Sequence, residues 1–450
     1  MDSSLPSLRL DESHSLYLLG QHSSSPLLKR YRPLIEGCAK LGEFLSFEMT
    51  PEWLSCYERD AQHVHAKLPL LVFRPHTIAS IAPFLRACHQ MDVSVTARCG
   101  GTGLAGCCVP SREGVILLTG HLRQMRAYDP EKGTIYLEPG VTARQLNRYV
   151  EADGWFFPLA MATEGVAGIA GCLSCQARGY HQQQQAIFDA IESVTLVDGQ
   201  GQVIVTPSAW ACGAEGLWGI LIEMKVQLKR RPPQSQDFIY QGSWQDVLAQ
   251  LSLLRSLRAL HFVTWSKDKF YLGVAGESWR LIPSIEVLTR HLPGIQSLAI
   301  PLKPYEHSFL PSRKSFIVLS TVFHSLQLPE ACQRSLAQAK ELQLECFQQA
   351  DVLAGSLHLT LQSADSFYHF SQKVEQFLVL WVDFVDRQRG VIASCHGVGM
   401  QMRPYMTPFW TEETQHLWQK LQAAFDPKGL FSKERFFPSF EKSLQKMRQV

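Results

Sequence analysis

The chain has 450 residues, 46% apolar and 19% charged, with a formal net charge of +2. That length exceeds what one hydrophobic core sustains and predicts two or three domains. The near-neutral balance excludes a dominant nucleic-acid surface, and no apolar run approaches the ~18 residues of a membrane-spanning helix.

Residues 1–50 read as an N-terminal extension, with a Ser-rich patch at Ser23–Ser25 and a helix expected over Leu34–Phe47. The start MDSSLPSLRLDESHS has neither the basic end nor the apolar run of a secretory signal. The twelve cysteines are therefore expected to be reduced thiols, and the expected location is the cytoplasm, with peripheral attachment at the inner face of the membrane as an option. Leu70–Phe73 reads as a short strand stopped by Pro75, and Thr77 as the cap of a helix over Ile78–Met91. Val93–Ala97 is the next strand. It runs into Gly100, Gly101, Gly103 and Gly106, where successive N–H groups without side chains suit a pyrophosphate. Gly101-Thr-Gly103-Leu-Ala-Gly106 spells the dinucleotide fingerprint G-x-G-x-x-G, but that fold opens a helix at once after the glycines. Here Cys107, Cys108 and Pro110 lead into a second strand, Val115–Leu118, so phosphates would be held by loop amides alone.

Thr134–Glu138 reads as a strand and Thr142 as the start of a helix over Ala143–Ala152 that ends at Gly154. A second small-residue segment covers Gly168–Gly179. Within it Cys172-Leu-Ser-Cys175 lacks a partner pair and reads as small-residue packing, not a zinc site. His181–Gln185 reads as a polar loop, Ile191–Val197 and Val203–Val205 as a hairpin, and 213–219 as a third glycine cluster before the strand Ile220–Leu228. Lys229-Arg-Arg231 reads as a solvated strand end, and Arg231-Pro-Pro233 as a domain boundary. Beyond it, a capping box at Ser243–Asp246, strands at Phe262–Trp265, Phe270–Val274, Ser315–Phe323 and Gly355–Leu361, and helices at Pro329–Glu341 and Ser366–Arg389 predict an antiparallel sheet covered by helices. Ile392–Gly399 reads as a short strand with a His-Gly turn, and 411–438 as a helix followed by the turn Asp426-Pro-Lys-Gly429.

Taken together the glycine clusters resemble the flavoprotein family typified by vanillyl-alcohol oxidase. Within it they are most similar to the FAD-dependent D-lactate dehydrogenase, glycolate oxidase catalytic subunit and D-2-hydroxyglutarate dehydrogenase group. Arg98-Cys-Gly-Gly-Thr-Gly-Leu-Ala-Gly106 stands where that family has Arg-Gly-Gly-Gly-Thr-Gly-Leu-Ser-Gly, and Glu138-Pro-Gly-Val141 resembles Gln-Pro-Gly-Val. Residues 169–179 align with a Thr-Ile-Gly-Gly…Thr-Asn-Ala-Gly-Gly segment that lines the flavin. Gly213-Ala-Glu-Gly-Leu-Trp-Gly-Ile220 matches Gly-Ser-Glu-Gly-Thr-Leu-Gly-Ile. His396-Gly-Val-Gly399 matches Glu-His-Gly-Ile-Gly, and Asp426-Pro-Lys-Gly-Leu430 matches Asp-Pro-Lys-Gly-Ile.

The resemblance implies an α+β chain: a two-part FAD-binding domain of the p-cresol methylhydroxylase type (51–232, with a C-terminal segment, 391–450, returning to it) around an inserted α+β cap (233–390). It implies noncovalent FAD on Arg98, Cys99, Gly100, Gly101, Thr102, Gly103, Leu104 and Gly106, on Pro158, Ile169, Gly171, Ser174, Gln176 and Gly179, and on Glu215, Gly216, Gly219 and Ile220. The implied substrate is a small D-2-hydroxy acid, and the electron acceptor a quinone, a cytochrome or a partner flavoprotein subunit. Such an oxidation needs a base for the hydroxyl proton and cations for the carboxylate. His396 falls on the family's base, while Lys314 and Arg403 lie near its cations. The family's divalent metal, held by two histidines and a Glu, would fall here on Asp351, His358 and Cys395. All three types can ligate a metal, so both a rewired site and a decayed one stay open. So do two further readings, a flavin-binding partner subunit without catalysis and a metal-free flavin oxidase of another alcohol.

Overall fold

The computed structural model describes residues 26–46, 55–61, 71–179, 187–299, 315–392 and 395–431. A four-stranded sheet runs in the order Gly42–Ser46, Leu71–Pro75, Val115–Leu118, Val95–Arg98. Its first pair is antiparallel and the other two are parallel. Leu71, Val72 and Phe73 are all buried, the continuous apolar run that a parallel strand covered on both faces requires. Phe73 stacks on Phe84 of the helix Ile81–Met91 with ring centroids 4.0 Å apart. The expected helix over 34–47 is corrected here. The helix is Pro26–Cys38, and 42–46 is an edge strand of this sheet, so Phe44 joins the core in place of an extension lying outside it. Thr77 makes no capping bond, because a short 3-10 turn over Ile78–Ser80 precedes the helix.

A five-stranded antiparallel sheet follows, ordered Met125–Asp129, Thr134–Leu137, Ile220–Gln227, Ile191–Val197, Val203–Pro207. Thr142 caps the helix Ala143–Val150 with a full capping box to Gln145. The segment 168–179 is not all loop: Ile169–Ser174 forms a short helix whose Ile169, Ala170, Cys172 and Leu173 are buried.

The cap is an eight-stranded antiparallel sheet whose centre is Leu260–Ser266, Glu345–Asp351, Ser356–Ser363 and Ser315–Val322. Helices Leu328–Glu341 and Phe367–Arg387 share its apolar core, with Phe377 and Trp381 buried among them. The strands Gln234–Tyr240 and Glu345–Asp351 and the helix Ser278–His291 had no clear sequence signal. The first strand alternates only weakly, and the helix carries Pro283 inside it. Val391–Ile392 completes the cap sheet, after which the chain crosses back. Ser94 Oγ and the Val95 N–H both donate to the Leu430 carbonyl, and Asp426 accepts the N–H groups of Leu430 and Phe431. Among the described residues no helix is long and apolar enough to cross a membrane.

Candidate active site

A cavity of about 590 Å³ lies between the glycine clusters and the open face of the cap sheet. Cys99, Gly100, Gly101, Thr102, Gly103 and Leu104 form one wall. No helix follows them, as the strand–loop–strand pattern requires. Gly100 admits no side chain, since a Cβ there would stand 2.3 Å from the Val166 carbonyl oxygen. Two residues expected on the pyrophosphate instead hold the loop from behind. The Arg98 guanidinium donates to the carbonyls of Arg59 (2.9 Å) and Cys56 (3.0 Å) and lies over the Tyr57 ring. The Gly106 N–H donates to Asp60 Oδ2 at 2.7 Å. Both contacts have one cause: a loop this rich in glycine has few side chains to fix it, so its ends are fastened by the residues at its rim.

Gly171, Ser174 and Gly179 supply the second wall. Ile169 is fully buried in the core beneath it. Pro158 and Gln176 are absent from the cavity wall. Gln176 sits in the left-handed region (φ 51°), packed against Gly213. Glu215, Gly216, Gly219 and Ile220 form the third wall. Glu215 (φ 50°) directs its carboxylate out of its turn to accept the N–H groups of Val398 and Gly399 (2.9 Å for the latter), and it also accepts the Cys107 thiol at 3.1 Å. Hydrogen bonding to Cys175, then burial, keep the Cys107 pKa well above its usual value, consistent with its donor role. Gly399 (φ 51°) seats this turn against the glycine loop, where a Cβ would overlap the Ala105 carbonyl.

The cap contributes by strand alternation. Leu357, Leu359 and Leu361 are fully buried in the cap core, which leaves Ser356, His358 and Thr360 on the cavity side. His358 lies opposite Gln349 on one neighbouring strand and Ser320 on the other, and Asp351 opposite Ser356. Cys395 donates its N–H to Ser320 Oγ (3.2 Å), which brings its sulfur 3.7 Å from His358 Nδ1. The His358 and His396 rings stand 5.7 Å apart, and a ligand atom from each of His358, Cys395 and His396 lies within 4.8 Å of the others. Asp351, expected among the metal ligands, is not in that group. Its Oδ1 accepts the Ala354 N–H at 3.3 Å, closing the hairpin turn. His396 takes its place.

The charges in this cluster depend on one another. Burial raises the Asp351 pKa to about 7, against the Ala354 N–H and the charges of His358 and Arg178. Burial also works to lower His358 and to raise Cys395. The imidazoles of His396 and His358 outweigh it for the thiol, which is held well below its ordinary value, and Cys395 and Asp351 outweigh it for His358, which is raised. Each group of the pair thus favours the charged form of the other. Nε2 of His396 is buried and has no hydrogen-bond partner among the described residues.

Arg403, in the turn Arg403–Tyr405, is not in the cavity wall. Lys314 lies outside the described residues, as does the polar run 181–185. Arg178 and Cys107 were missed as site residues. The signal for Arg178 was present, an arginine where the resembled motif has glycine.

Known proteins agree with this architecture. The FAD binding domain family matches residues 69–207, and the C-terminal domain of FAD linked oxidases matches residues 311–434. The chain is 22% identical to a Schizosaccharomyces pombe protein bearing the name of a mitochondrial D-lactate dehydrogenase, over 84% of this chain and 82% of that one. It is also 22% identical to a glycolate oxidase subunit of Bacillus subtilis, over 85% and 92%. The structure of 4-ethylphenol oxidase from Gulosibacter chungangensis superposes with a TM-score of 0.72 at 13% identity, covering 91% of this chain and 98% of that one.

Proposed function

We propose that this chain, an FAD-linked oxidoreductase on the p-cresol methylhydroxylase fold, oxidises a small D-2-hydroxy acid to its 2-oxo acid. FAD fits the site. Three glycine-bearing segments line the cavity, and at Gly216 (φ 82°) no atom lies within 4 Å of where a Cβ would stand. Bound FAD would supply the hydride acceptor.

The buried, unpartnered Nε2 of His396 in the wall of that cavity carries the reading. An imidazole nitrogen so placed is positioned to take the substrate's hydroxyl proton. Glu215 holds the turn that carries that imidazole by accepting the amides of Val398 and Gly399, two and three residues on. The names of the two sequence relatives support a hydroxy acid of lactate or glycolate size. The second being a subunit supports an electron acceptor outside this chain: a quinone, a cytochrome or a partner flavoprotein subunit. The test is anaerobic addition of D-lactate, glycolate and D-2-hydroxyglutarate to the purified flavoprotein. One of them is expected to bleach the flavin band. A bound flavin that none of them reduces would overturn the reading and leave a flavin-binding subunit.

A second reading is favoured by the donor set of His358, Cys395 and His396. Two imidazoles and a thiolate suit a zinc-like cation, which would polarise the substrate hydroxyl. The two roles of His396 exclude each other, because an imidazole nitrogen bound to a metal has no lone pair left for a proton. Zinc content measured beside activity separates them.

A further inference from the structure

Arg178 stands in the second wall of the cavity, four residues past the end of the short helix Ile169–Ser174. It is exposed, and it makes no hydrogen bond or ion pair with a described residue. The cavity it lines is the one that also holds Asp351, His358, Cys395 and His396. Asp351 and His358, on the strands Glu345–Asp351 and Ser356–Ser363, line that cavity from the cap side. The cavity's other ionisable groups do not duplicate it. Glu215 is committed to the amides of Val398 and Gly399, and Lys267 and Asp268 sit at the tip of the hairpin between Leu260–Ser266 and Lys269–Gly276. Of the cations expected for a carboxylate, Arg403 is outside the cavity wall.

We propose that Arg178 is the group that binds the carboxylate of the substrate, facing the hydroxyl-binding side formed by His358 and His396. The inference rests on the hydroxy-acid reading above and sharpens it, because it makes the carboxylate a requirement for binding. A planar guanidinium presents two parallel N–H donors that match both carboxylate oxygens, a fit that a lysine's point charge lacks. The competing role is structural, with Arg178 serving only to offset the charge of Asp351.

The flavoprotein itself reports the outcome. Oxalate, a dicarboxylate with no hydrogen to give up as hydride, is titrated into the oxidised holoprotein while the flavin spectrum is followed. Saturable binding is expected in the wild type. Arg178→Gln should weaken it about 100-fold and Arg178→Lys about 10-fold, with the flavin-to-protein ratio unchanged. Asp351→Asn combined with Arg178→Gln should remain as weak as Arg178→Gln alone. Wild-type protein that does not bind oxalate, an Arg178→Gln variant within threefold of wild type, or recovery of binding in the double variant each overturns the proposal. If oxalate binds through Arg178 but no hydroxy acid bleaches the flavin, the oxidation reading fails and the carboxylate site stands. If a hydroxy acid bleaches the flavin equally well in Arg178→Gln, only the carboxylate site fails.

Discussion

The glycine cradle and the cap face enclose one cavity by opposite means. The cradle is made of backbone, and its residues are chosen for what they lack. Gly100 leaves room for the Val166 carbonyl, and Gly399 for that of Ala105. The side chains with polar reach, Arg98 and Asp60, stand behind the loop and fasten it. The cap face is made of side chains on rigid strands. Ser356, His358 and Thr360 project from one face of a strand whose other face is fully buried leucine, and Cys395 and His396 are brought up to them by a crossing segment. A backbone surface binds any ligand of the right shape, whereas a side-chain cluster selects chemistry. The cradle therefore explains the cofactor, and the cap explains the reaction.

The largest effect is expected where the cradle is filled. Gly100→Val should yield protein without flavin, because the clash is with backbone and has no side chain to move aside; the flavin-to-protein absorbance ratio after gel filtration checks it. His396→Ala should separate the two walls cleanly. Flavin content should match the wild type while anaerobic flavin reduction slows by about 10²–10⁴-fold, the usual worth of a general base. Flavin reduction at the wild-type rate would remove His396 from the mechanism.

Glu215→Ala tests the joint between the regions. It strands the Val398 and Gly399 amides, at about 1–3 kcal/mol for each buried donor left unpaired. The melting temperature should fall by several degrees, and by less in Glu215→Gln, which keeps one acceptor. His358→Ala should leave flavin content and melting temperature near wild type; on the metal reading, zinc bound per protein, read by elemental analysis after dialysis, drops from near one to background, whereas on the general-base reading wild type and variant both stay at background.

The smallest effect concerns the return of the chain to the first sheet at Asp426. Burial raises its pKa despite the N–H bonds from Phe431 and Leu430. Its folded pKa is therefore above the unfolded one. The stabilisation this gives is complete below the unfolded value of about 4 and is lost as pH rises through the raised value. Asp426→Asn should flatten the slope of stability against pH in that window, measured by denaturant midpoints.

The cradle was legible because its requirement is local. A backbone that must approach a ligand needs glycine at set positions, and glycine clusters at 100–106 and 213–219 announce that need without tertiary knowledge. The absence of a helix after the first cluster was likewise readable from Pro110 and the strand that follows. What a side chain does in that neighbourhood was not legible. Arg98 and Gly106 belong to the same motif as Gly100, yet they face the rim, because only the folded chain supplies Arg59, Cys56 and Asp60 as partners.

His396 was found through its motif, and Asp351, His358 and Cys395 through theirs. Their grouping came from sheet register, which sets Gln349 and Ser320 beside His358 and leaves Asp351 to its own hairpin turn. Arg178 shows the same limit from the other side, as a charged residue that meets the cap strands only across the cavity. By itself the sequence showed a backbone cradle suited to phosphates, because that need is local to each glycine cluster, and the resemblance those clusters carry implied FAD. Only the tertiary structure decided which ionisable groups share a site, because a pKa and a set of ligand atoms depend on neighbours from separate segments: Cys395 meets His358 across 37 positions, and Arg178 shares a cavity with Asp351 only in the folded chain.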